Sequence, residues 1–512
     1  MVDRANGGLL LEVTLAGVSR GRQASSLIGQ LRAAVRSGSL RAGTRLPASR
    51  TLALDLGVSR GVVIRAYEQL TAEGYLRARQ GRGTEVAAVP GPTTPGPRPP
   101  ARPVSNPGLP AGALFPRAAW MRSATRALAE LPDADLGYGD PAGHPRLRHE
   151  LSSYLGRVRA LIAPPERIVV VNGFAQASRL VADVLTARGI RQLGVEDPGS
   201  AGLRDQLSQA GMTCLPVPID GDGIRVDALA RSGVQAVVVT PAHQFPTGVV
   251  LSPDRRHALL RWARDTGGLV IEDDYDAEFR YDRTPVGALQ GLGPDVVAYG
   301  GSVSKTLAPA LRIGWLVLPE RLVPAVTDAK YATDLATGIL EQATLADFLA
   351  RGEMDHHIRR MAMRYRTRRD RLVAGIATHL PDWTVTGASA GLHLVVRPPP
   401  GFNEVALAAL AQRCGLDARP LSHYAVCELN WTGLVIGYGH RRPDALTNAV
   451  TELARQHARG QTDEAADWPP HGESGAILDP VQSRAAAGAR SVDRGSPVPR
   501  RRRTASPSRR RT

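Results

Sequence analysis

Between residues 90 and 110 the chain reads PGPTTPGPRPPARPVSNPGLP, and a stretch so dense in proline is poorly suited to a packed layer of helices or strands. Each proline removes a backbone donor and holds φ near the polyproline value, so the segment is expected to be an extended, semi-rigid connector. It splits the 512 residues into a small module over 23–88, a linker over 89–113, a large module over 114–459 and a tail over 460–512. Apolar content of 43% with 22% charge is enough to build a sizeable core. The tail is poor in large apolar residues and ends in arginine runs at 500–503 and 509–511, the composition of a disordered segment.

A formal charge of +16 points to a polyanionic partner, with its location left to decide the matter. The three cysteines, Cys214, Cys414 and Cys427, have no CxxC spacing, so neither a disulfide framework nor a metal site is expected. No apolar run is long enough to cross a bilayer, and the short one before residue 15 is broken by Glu12, so the expectation is a cytoplasmic protein with no membrane partner.

In the large module, apolar runs at 168–171, 192–195, 236–240, 269–271, 296–299 and 313–318 alternate with amphipathic stretches such as 175–187 and 253–265. Strand-helix alternation at this spacing indicates an α/β domain with a mostly parallel sheet, whose ligands sit at the carboxyl ends of the strands. Only two lysines, Lys305 and Lys330, stand among 64 basic residues. Arginine substitutes for lysine as a surface charge but cannot condense with an aldehyde, so an amine kept at Lys305 is a candidate anchor for pyridoxal phosphate (PLP). Ser302, Ser304 and Arg312 flank it with two hydroxyls and a guanidinium suited to a phosphate. Upstream, an apolar strand runs into Glu272, Asp273, Asp274 and Tyr275, acids and a phenol that could face a pyridine nitrogen and its ring hydroxyl. Without Lys305 the same cluster would read as a solvated strand end or a cation site.

In the small module, an amphipathic helix over 27–35 precedes a short helix over 51–56, a glycine turn at Gly57 and a longer helix from Ser59 to about Glu73. Ser49 and Ser59 are candidate N-caps, and the order is that of a helix-turn-helix. The glycine-rich tip 80–83, carrying Arg82, reads as a wing. Eleven arginines against four acids between residues 22 and 86 suffice to displace counterions from DNA, although a helical interaction module with a solvated basic face has the same composition.

The run LRAGTRLPASRTLALDLGVSRGVVIRAYEQLTAEGYLRARQGRGT resembles the winged helix of the GntR family of bacterial transcription regulators. With TPAHQFPTG, EDDYDAEFRY and SKTLAPALRIG following in that order, the whole is similar to the MocR subfamily. That resemblance implies a small α+β winged helix-turn-helix domain followed by a large α/β fold-type I PLP-dependent aminotransferase-like domain. It implies that Arg45, Ser49 and Arg50 contact phosphates, that Ser59, Arg60 and Gly61 open the recognition helix in the major groove, and that Arg82 enters the minor groove. Lys305 would form an internal aldimine, with Asp273 on the pyridine nitrogen and Tyr275 on the ring hydroxyl. Ser302, Ser304, Arg312 and the backbone of Gly173, Phe174 and Ala175 would hold the phosphate. His243 falls either near the ring or to packing its own loop.

Four positions depart from the family pattern. Gly61 replaces a hydroxyl residue, Glu85 an aromatic, and Ser200 the aromatic after Asp197-Pro198-Gly199; Leu434 begins a late strand that an arginine for substrate carboxylates usually precedes. Arg419, Arg441 and Arg442 are the alternatives for that clamp. The expected function is a PLP-dependent regulator of promoter DNA, a head-to-tail homodimer responding to PLP or an amino-compound effector. The competing readings are an active aminotransferase with a winged-helix tether and a DNA-binding scaffold without cofactor.

Overall fold

The computed structural model describes residues 13–79, 83–88, 107–281, 286–387 and 389–464, side chains of 460–464 excepted. Arg82, residues 89–106 of the linker and nearly all of the tail lie outside the described residues. The chain divides into two compact units, Met1–Pro103 and Val104–Thr512.

In the first unit, α1 (Gln23–Ser37) sets Leu27, Leu31 and Val35 on one face at helical spacing, against Val63, Ala66 and Leu70 of α3 (Arg60–Ala72). Between them α2 (Ser49–Asp55) ends at Gly57, whose φ of +64° makes the left-handed turn into α3. Ser59 holds the N-cap position of α3 without a side-chain bond to the helix, and Ser49, expected to cap α2, is its first helical residue. The hairpin β1 (Leu76–Arg79) and β2 (Gly83–Val86) extends to a third segment, because Leu46 N–H donates to Thr84 O and Val86 N–H to Thr44 O, both at 2.9 Å. The core also begins earlier than residue 23. Val13 and Leu15 are buried in it, their alternation placing both on one face, and Gln30 Nε2 donates to Thr14 O at 2.8 Å.

The second unit centres on an eight-stranded sheet of β3 (Ile168–Val171), β4 (Gln192–Asp197), β5 (Thr213–Asp220), β6 (Gly223–Ile224), β7 (Ala236–Val239), β8 (Leu269–Asp274), β9 (Val297–Ser302) and β10 (Gly314–Val317). Their order is β3-β10-β9-β8-β7-β4-β5-β6. The run from β9 through β8, β7 and β4 to β5 is parallel, and β10 lies antiparallel between β9 and β3. Helices cover both faces: Val169, Val171, Val195, Val238 and Ile271 enter one core, and Ile168, Val170, Val237, Val270 and Val297 point the other way. Burial on both sides is why these strands read as unbroken apolar runs.

β5 escapes that pattern because Pro216 and Pro218 interrupt it. Since β6 pairs only with Ile219 and Asp220, the two prolines run along the sheet edge, where a missing N–H costs little. A smaller antiparallel sheet, ordered β11-β12-β14-β13, is built from β11 (Thr384–Thr386), β12 (His393–Arg397), β13 (Asp417–Pro420) and β14 (Leu434–Gly437). Helices Glu353–His379, Glu404–Arg413 and Pro443–Glu464 pack with it.

Residues 107–113, assigned to the linker by their prolines, are part of this unit. A Cβ on Gly437 would come within 2.3 Å of Pro107 O, so side-chain-free backbone receives the incoming chain, and Ala111 N–H donates to Tyr365 Oη at 3.0 Å. The early boundary of the first unit is testable: Leu15→Ala should destabilise it by about 2 kcal/mol. A change in its thermal melting no larger than that of an exposed-site control would put the boundary back at residue 23.

Candidate functional site

The site grows out of the end of β8. Side chains alternate along a strand, so Glu272 and Asp274 go to one side and Asp273 to the other. Glu272 accepts the Leu289 and Gln290 N–H groups at 2.8 and 2.9 Å, and burial pushes its carboxyl up to about 7. Asp274 accepts from Arg159 Nε at 2.7 Å and from the Tyr299 hydroxyl at 2.8 Å, while Arg159 Nη1 donates to Val286 O. Asp273 instead borders a cavity of about 270 Å³ together with Lys305 and Tyr275. Burial and then the Asp274 charge push the Asp273 carboxyl well up, opposed by Lys305. Burial pulls the Lys305 amine down, with Asp276 and Asp273 acting the other way.

Tyr275 Oη and Asp276 Oδ1 each lie 3.0 Å from His243 Nδ1. His243 is buried behind the cavity, touching it through Tyr275 rather than lining it.

A second group lies apart from the cavity lining. Gly173, at φ +81°, precedes the helix Phe174–Ala187, and a Cβ there would come 2.7 Å from Arg312 Nη2. The guanidinium therefore packs over glycine backbone and donates to Asn172 O. A Cβ on Gly314 would meet Gly173 Cα at 2.9 Å and Ser302 Cβ at 3.2 Å, which sets Ser302 beside the same helix N-terminus. Ser304 N–H reaches Ser302 Oγ at 3.4 Å. The Phe174 ring packs on Gly300, leaving its backbone and that of Ala175 at the open first turn.

Sequence reasoning missed Glu196, Arg204, Thr240 and Phe245, all in the cavity lining. Glu196 is the legible one, an acid inside an apolar strand just before Asp197-Pro198. Its Oε2 accepts from Thr240 Oγ1 at 2.6 Å and Thr240 N at 3.1 Å; burial pushes the carboxyl up to about 7, against those bonds. Ser200 borders the cavity and its Oγ caps the helix Ala201–Gln209 through Leu203 N. None of Arg419, Arg441 and Arg442 is in the lining: Arg441 pairs with Asp417 at 3.0 Å, and Leu434 is buried in the small sheet's core. Lys330 is fully buried, its Nζ 2.8 Å from Asp334 Oδ1.

In the first unit Arg45, Arg50, Ser59, Arg60 and Gly61 are exposed, and Ser49 is half-buried with its Oγ 3.4 Å from Arg60 Nε. Among the described residues no carboxylate pairs with Arg45, Arg50 or Arg60, whereas Arg32 pairs with Glu73 and Arg79 with Glu85. Arg82 lies outside the described residues.

A winged helix-turn-helix joined to an aminotransferase-like domain of fold type I defines a transcription regulator. Residues 23–86 match the bacterial regulatory proteins of the gntR family, and residues 108–435 match aminotransferase class I and II. The chain is 34% identical to the probable rhizopine catabolism regulatory protein MocR of Rhizobium meliloti, over 83% of this chain and 92% of that one. It is 32% identical to the HTH-type pyridoxine biosynthesis transcriptional regulator PdxR of Corynebacterium glutamicum, over 84% and 95%. Among solved structures, a multiple substrate aminotransferase from Thermococcus profundus matches with a TM-score of 0.64 at 26% identity, over 70% of this chain and 92% of that one. The chain belongs to the GntR family of transcription regulators, in its MocR-type branch with an aminotransferase class I and II domain.

The Glu196 carboxyl carries a pH dependence. Its folded value of about 7 exceeds the ordinary 4.5, so its contribution is complete below pH 4.5 and lost as pH rises to about 7. Glu196→Gln should remove about 2 kcal/mol of the stability difference between pH 5 and pH 7.5, read by urea denaturation at both. Equal slopes in variant and wild type would show the carboxyl ionised throughout.

Proposed function

We propose that this regulator binds PLP at Lys305 and that PLP, or an amino compound meeting it there, is the signal that controls promoter binding. The observation that carries the reading is the meeting at one cavity of Lys305, from the turn after β9, with Asp273 and Tyr275, from the end of β8. When bound, PLP supplies an aldehyde that condenses with amines and a ring that withdraws electrons. The residues fit it. Burial favours the neutral, nucleophilic form of the Lys305 amine. Asp273, its carboxyl pushed up by burial, borders the cavity where it can hydrogen-bond a pyridine nitrogen. Tyr275, positioned by His243, can donate to a ring oxygen. The glycine backbone under Arg312, with Ser302 and Ser304 and the amides of Phe174 and Ala175, forms a cradle for a phosphate at a helix N-terminus.

Sustained transamination is not part of this reading. Arg204, an arginine in the cavity lining, has Nη1 donating to Gly199 O and Tyr424 O, each at 2.9 Å, and no arginine stands just before the late strand that begins at Leu434. Among the described residues no arginine therefore takes the usual place before that strand to hold a substrate carboxylate, which weakens positioning.

On DNA, Arg45 and Arg50, which pair with no carboxylate among the described residues, contact phosphates with Ser49, while Ser59, Arg60 and Gly61 begin the helix that reads the major groove. Arg82 would take the minor groove. The regulator acts in the cytoplasm as a head-to-tail homodimer; among the described residues no helix is long and apolar enough to cross a membrane.

Added PLP should give the wild type a visible absorbance band that borohydride removes, and Lys305→Ala should lack it. A band of equal strength in both proteins, or in neither, overturns the assignment of Lys305. For DNA, Arg60→Ala should cost about 1–3 kcal/mol and relax sequence preference, whereas Arg50→Ala should weaken all sequences alike and lower the salt slope by about 1. Indifference of operator binding to both would remove the helix from the groove.

A further inference from the structure

The turn after β4 has two sides. Glu196 and Gly199 border the cavity of Lys305, while Asp197 and Pro198 border another, open to solvent and of about 590 Å³, lined also by the loop 427–431 ahead of β14. Its walls are apolar where the sheet edge contributes Pro216, Pro218 and Ile219 and the loop contributes Leu429. Arg397, at the end of β12, is the basic residue among the described residues of the lining. Its guanidinium carbon stands 4.4 Å from the centroid of the Trp431 ring.

No carboxylate of the described residues pairs with Arg397, and two of the nearby acids are engaged elsewhere. Asp197 accepts the N–H groups of Val426 and Cys427 at 2.8 and 2.9 Å, and Asp220 pairs with Arg255 at 2.7 Å. Glu428, also in the lining, is exposed and forms no ion pair among the described residues. A guanidinium stacked on an indole keeps its in-plane N–H groups free and pre-oriented, the geometry that takes a planar carboxylate through two parallel bonds.

We propose that this cavity is a second small-molecule site, which takes an organic carboxylate with a compact apolar body. The carboxylate meets Arg397, and the body lies against the proline-lined sheet edge. The site is distinct from that of Lys305 and does not depend on PLP being bound.

Calorimetric titration of the full-length, PLP-free protein with benzoate, phenylacetate and indole-3-acetate, each beside its neutral amide, tests this. At least one acid should bind once per chain and at least about tenfold tighter than its amide, with a similar loss in Arg397→Gln and no change in Lys305→Ala. Absence of binding by all three acids, amides that bind as well as acids, or binding that survives Arg397→Gln overturns the proposal. So does binding that Lys305→Ala abolishes, which would assign the acid to the first cavity. Should Arg397→Gln fail to fold by circular dichroism, the acid–amide comparison and Lys305→Ala decide between these outcomes. The absorbance test at Lys305 reads a different cavity, so either reading can fail alone.

Discussion

Arg159 bonded to Asp274 inside the protein is the interaction on which the site depends. β8 carries three consecutive carboxylates off an apolar strand, and each is disposed of differently: Glu272 by two backbone amides, Asp274 by Arg159 and Tyr299, Asp273 by the cavity. A buried ion pair is a modest source of stability, but removing one partner leaves an uncompensated charge at a cost of about 3–5 kcal/mol. That asymmetry specifies register. A slip of β8 by one residue would turn Asp273 toward Arg159 and present Glu272 and Asp274 to the cavity, so the pair fixes which acid the site receives. Arg159 closes the helix Pro145–Arg159 and also holds Val286 O, so the same side chain anchors that helix and the chain beyond β8.

Much of this was legible in the sequence wherever one physical signal dominated. Strands buried on both faces appear as unbroken apolar runs, and β3, β4, β7, β8, β9 and β10 were found that way. Gly57 marked its own turn because glycine adopts a positive φ without strain. The failures have equally local causes. β5 carries prolines at the sheet edge, where they do no harm but erase the strand signature. Residues 107–113 look like linker by composition, and only the bare backbone of Gly437 and Gly439 across from them makes packing possible. Val13 and Leu15 are too few to show a period. Glu196 and Thr240 meet across β4 and β7, a contact between distant segments that no local spacing encodes.

The replacements at the first cavity act together. Ser200 has turned its hydroxyl to the helix it caps, Arg204 Nη1 is held by backbone carbonyls, and no arginine stands just before the strand that begins at Leu434. What persists are the groups around Lys305. The arginines of the small unit divide in the same manner: Arg32 and Arg79 are paired with Glu73 and Glu85, and Arg45, Arg50 and Arg60 pair with no carboxylate among the described residues.

The scarcity of lysine also bears on selectivity toward aldehydes. These react with any accessible amine, and an ordinary basic protein would offer dozens of competing side chains. Here arginine carries nearly all of the positive charge, and the second lysine is sealed in a helix with Asp334 across its ammonium. A reactive carbonyl compound therefore meets a single reachable lysine amine on this protein, so stray lysine adducts elsewhere on its surface are excluded by composition before any recognition takes place.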